Sequence, residues 1–220
     1  LTIEAGTRVR FTGDFSFMVN GTLIADGTSD NHIEFTSGFA IPDDGDWGSL
    51  VLNGGGHLLR YVDYSYANDG IIGGNASGSV IDHCTLSHLT LGSNGIYFTG
   101  SSNLTFTNNE ISVSEIGIYA QNASESTVSQ NTIETSYNGP VIYMDYCNEC
   151  TFDGNEITGG PRTGIQSRYS ENSSFSNNVL DVKWHGFYCD QGDTLSFTDN
   201  TVIVSKEGND WTYGIQFYST

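Results

Sequence analysis

The sequence predicts an all-β fold, a right-handed parallel β-helix of about ten coils with 22–25 residues in each. Three observations predict it. An asparagine-centred motif recurs five times, a glycine-led apolar motif recurs in phase with it, and 27 Gly stand against only 3 Pro in 220 residues.

The first motif reads apolar-x-x-Asn-x-apolar and occupies Phe106–Ile111, Val128–Ile133, Phe152–Ile157, Phe175–Leu180 and Phe197–Val202. Its asparagines, Asn109, Asn131, Asn155, Asn178 and Asn200, follow one another at 22, 24, 23 and 22 residues. Ile81–Leu86 continues the series backwards with Cys84 in the asparagine place, and Leu59–Tyr64 does so with Val62. The second motif centres on Ile71, Ile96, Ile118, Ile142, Ile165 and Phe187, at spacings of 25, 22, 24, 23 and 22. A last step of 28 leads to Ile215, and the extra residues in Lys206–Trp211 predict a bulging loop.

Two short apolar strands per repeat cannot bury their faces alone. Stacking the repeats in register solves this, because each strand then bonds to its equivalents above and below. An asparagine at a turn carries both donor and acceptor, so five in phase predict an internal ladder. The first 50 residues carry a strand-rich pattern of their own: Leu1–Phe11, Phe17–Gly27, His32–Thr36 and Trp47–Leu52. No linker or composition break interrupts the chain, so residues 1–220 read as a single domain, a rod of about 45–50 Å.

Composition narrows the function. Only 7 Lys and Arg face 26 Asp and Glu, a formal charge of −19, which argues against nucleic acid and against an anionic membrane surface. No apolar run approaches the ~20 residues of a membrane span. The chain opens at Leu1 directly into a strand pattern, as a mature or excised piece would. Sequons at Asn20, Asn75, Asn103, Asn122 and Asn172 make a glycosylated extracellular or cell-surface protein an expectation. Cys147 and Cys150 form a C-x-x-C, read as a local disulfide across a turn, with half a zinc site or a redox pair as alternatives. Cys84 and Cys189 fall at inward positions several coils apart and read as buried small residues.

Period two turns one residue of each second-motif strand outward: Ile72, Tyr97, Tyr119, Tyr143, Gln166, Tyr188 and Gln216. Two residues further lie Thr99, Gln121, Asp145, Arg168, Asp190 and Tyr218. Stacking places Asp145, Arg168 and Asp190 in one row, the carboxylates two coils and ~9.6 Å of backbone apart. Such a row, with Tyr97, Tyr119, Tyr143, Tyr188, Trp184 and His185 around it, suits a glycan-binding or glycan-cleaving face. The bland alternative is a salt-bridged ladder flanked by ordinary cross-strand tyrosine packing. Asp43, Asp44 and Asp46 could offer oxygens to Ca²⁺, against a simple solvated loop, and no other cofactor is expected. His83, His88, Cys84 and Met144 are not expected to converge on a metal.

The opening coils resemble those of many secreted and cell-surface β-helix proteins, in Leu1-Thr-Ile, Gly6-Thr, Gly21-Thr-Leu and Ile33-Glu-Phe-Thr-Ser37. The later coils are similar to the β-helix repeats of the pectate-lyase-like superfamily, shared by carbohydrate-active enzymes, microbial envelope proteins and a periplasmic copper-maturation protein. The resemblance implies the fold across nearly the whole chain and leaves function open. It allows acids and an arginine on one strand face. The paired-Asp, Gly-His-Gly and Arg-x-Lys set of polygalacturonase-like hydrolases is missing, and a chain of −19 would repel a polyuronate. The leading expectation is therefore a non-enzymatic β-solenoid of the cell envelope, whose uncapped ends would assemble with copies of itself, end to end or laterally, into a layer, sheath or filament. The alternative is an enzyme or binding module acting on a neutral polysaccharide through the Tyr and Asp face.

Overall fold

The computed structural model describes residues 1–135, 137–205 and 212–218, and the predicted Lys206–Trp211 bulge lies outside them. Among the described residues there is no helix, and every strand belongs to one of three parallel sheets of nine strands each. The chain thus winds nine coils, slightly fewer than the ten expected. Each coil carries three strands rather than two. Thr105–Thr107, Glu110–Val113 and Ile118–Gln121 make one coil, contributing to the first, second and third sheets in turn. The asparagine motif spans two of them, with the asparagine at the bend between.

The bend has a conformational cause. The residue before each ladder position is left-handed: Asn108, Gln130, Asn177 and Asp199 have φ of 56°, 55°, 55° and 52°. Asparagine and aspartate tolerate this region, and glycine, at Gly154, does so freely. The chain turns there and drives the next side chain inward. Asn155 is fully buried; its Oδ1 accepts from the backbone N–H and the Nδ2 of Asn131, at 3.2 and 2.9 Å. Its own Nδ2 donates to Val128 O and to Asn178 Oδ1, at 2.8 and 2.9 Å. The same pattern runs from Asn109 to Asn200, and Cys84 extends it by donating its N–H to Asn109 Oδ1 at 2.9 Å.

Inward positions stack by residue type. Phe152, Phe175 and Phe197 lie in register in the first sheet, their rings 4.7 Å apart and within 5° of parallel. The second sheet stacks Ile111, Ile133, Ile157 and Leu180. In the opening coils the filler is larger: Trp47 is fully buried, stacks on Phe11 at 4.0 Å and donates from its indole to Ser65 O.

The turns from the third sheet back to the first correct the disulfide expectation. Three consecutive coils place two small buried residues three apart there: Ala123 and Ser126, then Cys147 and Cys150, then Ser170 and Ser173. The serine hydroxyls accept from the coil before: Cys147 N–H donates to Ser170 Oγ and Cys150 N–H to Ser173 Oγ. Cys147 and Cys150 are free thiols filling those places, donating to Ala120 O and Ala123 O. The C-x-x-C spacing is the spacing of a turn ladder that prefers small, weakly polar side chains. A hydrogen bond with Cys150, reinforced by burial, holds the Cys147 proton. Cys84 and Cys189 are buried free thiols too, their pKa values pushed up to about 12 by desolvation.

Candidate active site

Along the third sheet the strands change length. Ile96–Thr99 and Ile118–Gln121 have four residues, whereas Pro140–Asp145, Thr163–Arg168 and His185–Asp190 have six. The added residues lie at the strand starts, where the links Asn138-Gly139-Pro140 and Pro161-Arg162-Thr163 depart from the plain repeat. This widened stretch carries a cleft of about 500 Å³, lined by Pro140, Arg162, Gln166, Arg168, His185, Tyr188 and Asp190 among others. A second recess of about 390 Å³ adjoins it, walled by Trp184, Tyr213 and Tyr218.

The expected row is present. Gln121, Asp145, Arg168, Asp190 and Tyr218 are register partners on consecutive strands. Arg168 Nε sits 3.4 Å from Asp190 Oδ2, and its Nη1 donates to Tyr143 Oη at 2.9 Å. Asp145 is almost fully covered; its Oδ2 accepts from Gln121 Nε2 at 3.2 Å, while Oδ1 is buried without a hydrogen-bond partner. The arginine serves both carboxylates electrostatically, so the row is a charge-compensated network, with Asp190 lining the cleft and Asp145 buried outside it.

The aromatic set divides. Tyr97 and Tyr119 stack on each other at 4.9 Å and 10°, so their inner ring faces are mutually covered. They form a ladder away from the cleft, and Tyr97 borders a separate recess with Ile72 and Asn94. Tyr143 turns edge-on to Tyr119, at 81°, and joins Arg168 instead. Tyr188, Trp184 and His185 do gather at the cleft: His185 lies 5.8 Å from Tyr188, nearly perpendicular, and stacks on Tyr213 at 5.8 Å.

His185 and Tyr188 are pushed in useful directions. Burial lowers the His185 imidazole below its ordinary range, and Arg162 adds to the effect, against a hydrogen bond that the imidazole donates to Gln216. Burial raises the Tyr188 phenol above its ordinary range, and the Asp190 charge adds to that. At neutral pH the pair therefore offers a neutral imidazole that can accept a proton and a phenol that keeps one.

Gln216 falls on the outward face that the sequence predicts, whereas Arg162 and Tyr213 join the site unforeseen. Arg162 stands before the glycine of its repeat in Gly159-Gly-Pro-Arg-Thr163, and that interruption of the grammar was the available signal. The other candidates stay apart. Asp46 Oδ2 accepts from Ser37 Oγ and from the Asp43 N–H, and Asp44 approaches His88 at 3.5 Å. His83 pairs with Asp82 at 3.0 Å, and Met144 is buried in the core. No group of three metal-ligating side chains occurs among the described residues. The sequon residues Asn20, Asn75, Asn103, Asn122 and Asn172 are all exposed. The last four take left-handed φ in the turns from the third sheet to the first, a backbone reason for asparagine independent of modification.

Solved structures with this architecture include an alginate lyase from Paenibacillus sp. str. FPU-7, with TM-score 0.51, 15% identity, and coverage of 97% of this chain and 91% of that one. The A-module of the mannuronan C-5 epimerase AlgE6 of Azotobacter vinelandii gives TM-score 0.58 at 10% identity, covering 97% and 63%. The enzymatically active domain of tailspike protein 2 of Bacteriophage CBA120 gives 0.51 at 12%, covering 99% and 42%. At such identities the likeness concerns the fold. No curated protein matches the sequence. The family described as the right handed beta helix region matches residues 47–220, and the chain belongs to that family.

Proposed function

We propose that this chain acts on a polysaccharide, holding the glycan across the third sheet and carrying out acid–base chemistry in the cleft over His185, Tyr188 and Asp190. One observation carries the reading. The cleft occupies the stretch where the third-sheet strands lengthen, and there two titratable groups with oppositely displaced acidities stand 5.8 Å apart at their ring centroids. His185 is the proton acceptor and Tyr188 the donor. Arg168, held between Asp190 and Tyr143, orients the sugar hydroxyls. Polar side chains on flat strands with one deep, aromatic-edged recess fit an extended sugar chain. The relatives in structure support it, since their names describe an alginate lyase and a mannuronan epimerase. They favour this reading over end-to-end structural assembly.

The test is incubation of the protein with a panel of neutral and acidic polysaccharides, following both new reducing ends and the ultraviolet absorbance of unsaturated products. Activity abolished in H185Q and Y188F with the fold intact is the expected result. Wild-type protein that neither binds nor alters any glycan of the panel would refute the reading.

A further inference from the structure

We infer that Arg162, laid on Trp184, is a recognition site for a sugar carboxylate, so that the glycan taken by the cleft is an acidic one. This rests on the glycan reading above and adds the substrate class. The Arg162 Cζ lies over the Trp184 ring, 3.5 Å from its centroid, in cation–π contact. Both residues are held by backbone bonds: Trp184 N–H and His185 N–H donate to Arg162 O at 3.0 Å, and Lys183 N–H donates to Pro161 O at 2.8 Å. A guanidinium stacked by its face keeps its N–H fork in the plane, free to meet a planar anion.

Among the described residues Arg162 and Arg10 are the arginines with no carboxylate partner, and of the two Arg162 lines the cleft, while Arg10 donates to Gly38 O. Arg8, Arg60 and Arg168 each lie against a carboxylate. Among the described residues none pairs with Arg162, although the chain has 26 Asp and Glu for 7 Lys and Arg. Around the cleft two guanidiniums face one carboxylate, Asp190, which Arg168 already engages. Arg168 is balanced by Asp190 and Asp145, which leaves Arg162 as the cleft's guanidinium with no carboxylate against it among the described residues. The expectation of a neutral glycan was drawn from the net charge of −19. At physiological salt the field of distant carboxylates decays over ~8 Å, whereas a contact pair in a cleft is screened far less. A guanidinium meets a carboxylate bidentately, which fits a uronic acid, with Gln166 beside it for a ring hydroxyl.

The experiment is calorimetric binding of three ligands of equal length to the whole chain: an oligouronate, the same oligomer with its carboxyls reduced to alcohols, and a sulfated neutral oligomer. Wild type is expected to bind the oligouronate at least ~10-fold more tightly than the reduced oligomer, and R162Q to bring the two within ~3-fold. Equal binding of the acidic and reduced oligomers overturns the inference and leaves the glycan reading standing. Tighter binding of the sulfated oligomer, or discrimination unchanged in R162Q, overturns it as well. Failure of all three and of the neutral polysaccharides to bind overturns both. If R162Q melts at a markedly lower temperature, the wild-type preference alone decides.

Discussion

Two stacked rows of polar residues run along this solenoid, and they differ in kind. The inner row, Asn109 to Asn200, repeats one residue through five coils, and each buried amide is met by its neighbour. The outer row, Gln121, Asp145, Arg168, Asp190 and Tyr218, changes residue at every coil and leaves one buried oxygen of Asp145 unmatched. Repetition marks the place where hydrogen bonding must close on itself without water. Departure from repetition, on strands that also lengthen, marks the place where a ligand can supply what the chain does not.

The contrast can be broken most forcefully at the ladder. N155A strips acceptor and donor from both neighbouring rungs in a dry interior, and a loss of about 3–5 kcal/mol is expected in urea denaturation. Its outward counterpart Q166A should change stability by less than ~0.5 kcal/mol. Equal losses would show that the two rows are energetically alike. H185Q should lower turnover on the glycan by about 10²- to 10⁴-fold with the melting temperature unchanged. The pH profile sharpens this. A base whose pKa is lowered by burial loses activity only as pH falls below the ordinary imidazole range, and a phenol whose pKa is raised loses it only above the ordinary phenol range, so the plateau should be broad. D190N frees Arg168 from a partly exposed pair. Stability should move by less than ~1 kcal/mol while turnover drops by roughly 10-fold. Smaller still, C147S with C150S should stay within about 1 kcal/mol of wild type, since serine fills the same turn places one coil on, and reductant should not alter melting of the wild type. At the outer edge of the fold, Ser176 and Asn177 hold the Asp153 carboxyl below its usual range by hydrogen bonds of 2.7 Å. That contribution is present above the unfolded carboxylate value and is lost as pH falls through the folded one, so S176A should shift acid unfolding slightly upward in pH.

The fold was legible because its causes are periodic. Asn131 and Asn155 could be assigned to one ladder, and Tyr143 and Gln166 to one face, since stacking in register turns sequence spacing into contact. The third strand of each coil was hidden inside the asparagine motif, where a single left-handed residue such as Asn108 splits one apparent strand into two. The C-x-x-C misled for a related reason: Cys147 and Cys150 carry the spacing of a turn ladder, which imitates a redox or metal motif. The sequon asparagines likewise satisfy the turn before anything else.

The sequence by itself determined the solenoid, its asparagine spine and the order of residues along each face, because a parallel register allows only one stacking of the repeats. Side-chain direction was decided by the tertiary structure alone. Tyr97 and Tyr119 turn onto each other while Tyr143 turns to Arg168, and Arg162 from an irregular link comes to lie on Trp184, 22 residues on. Rotamer choice and the path of the links depend on packing between coils, which no spacing encodes. That packing converts a row of alternating charges into a cleft edged by an imidazole, a phenol and a guanidinium laid on an indole.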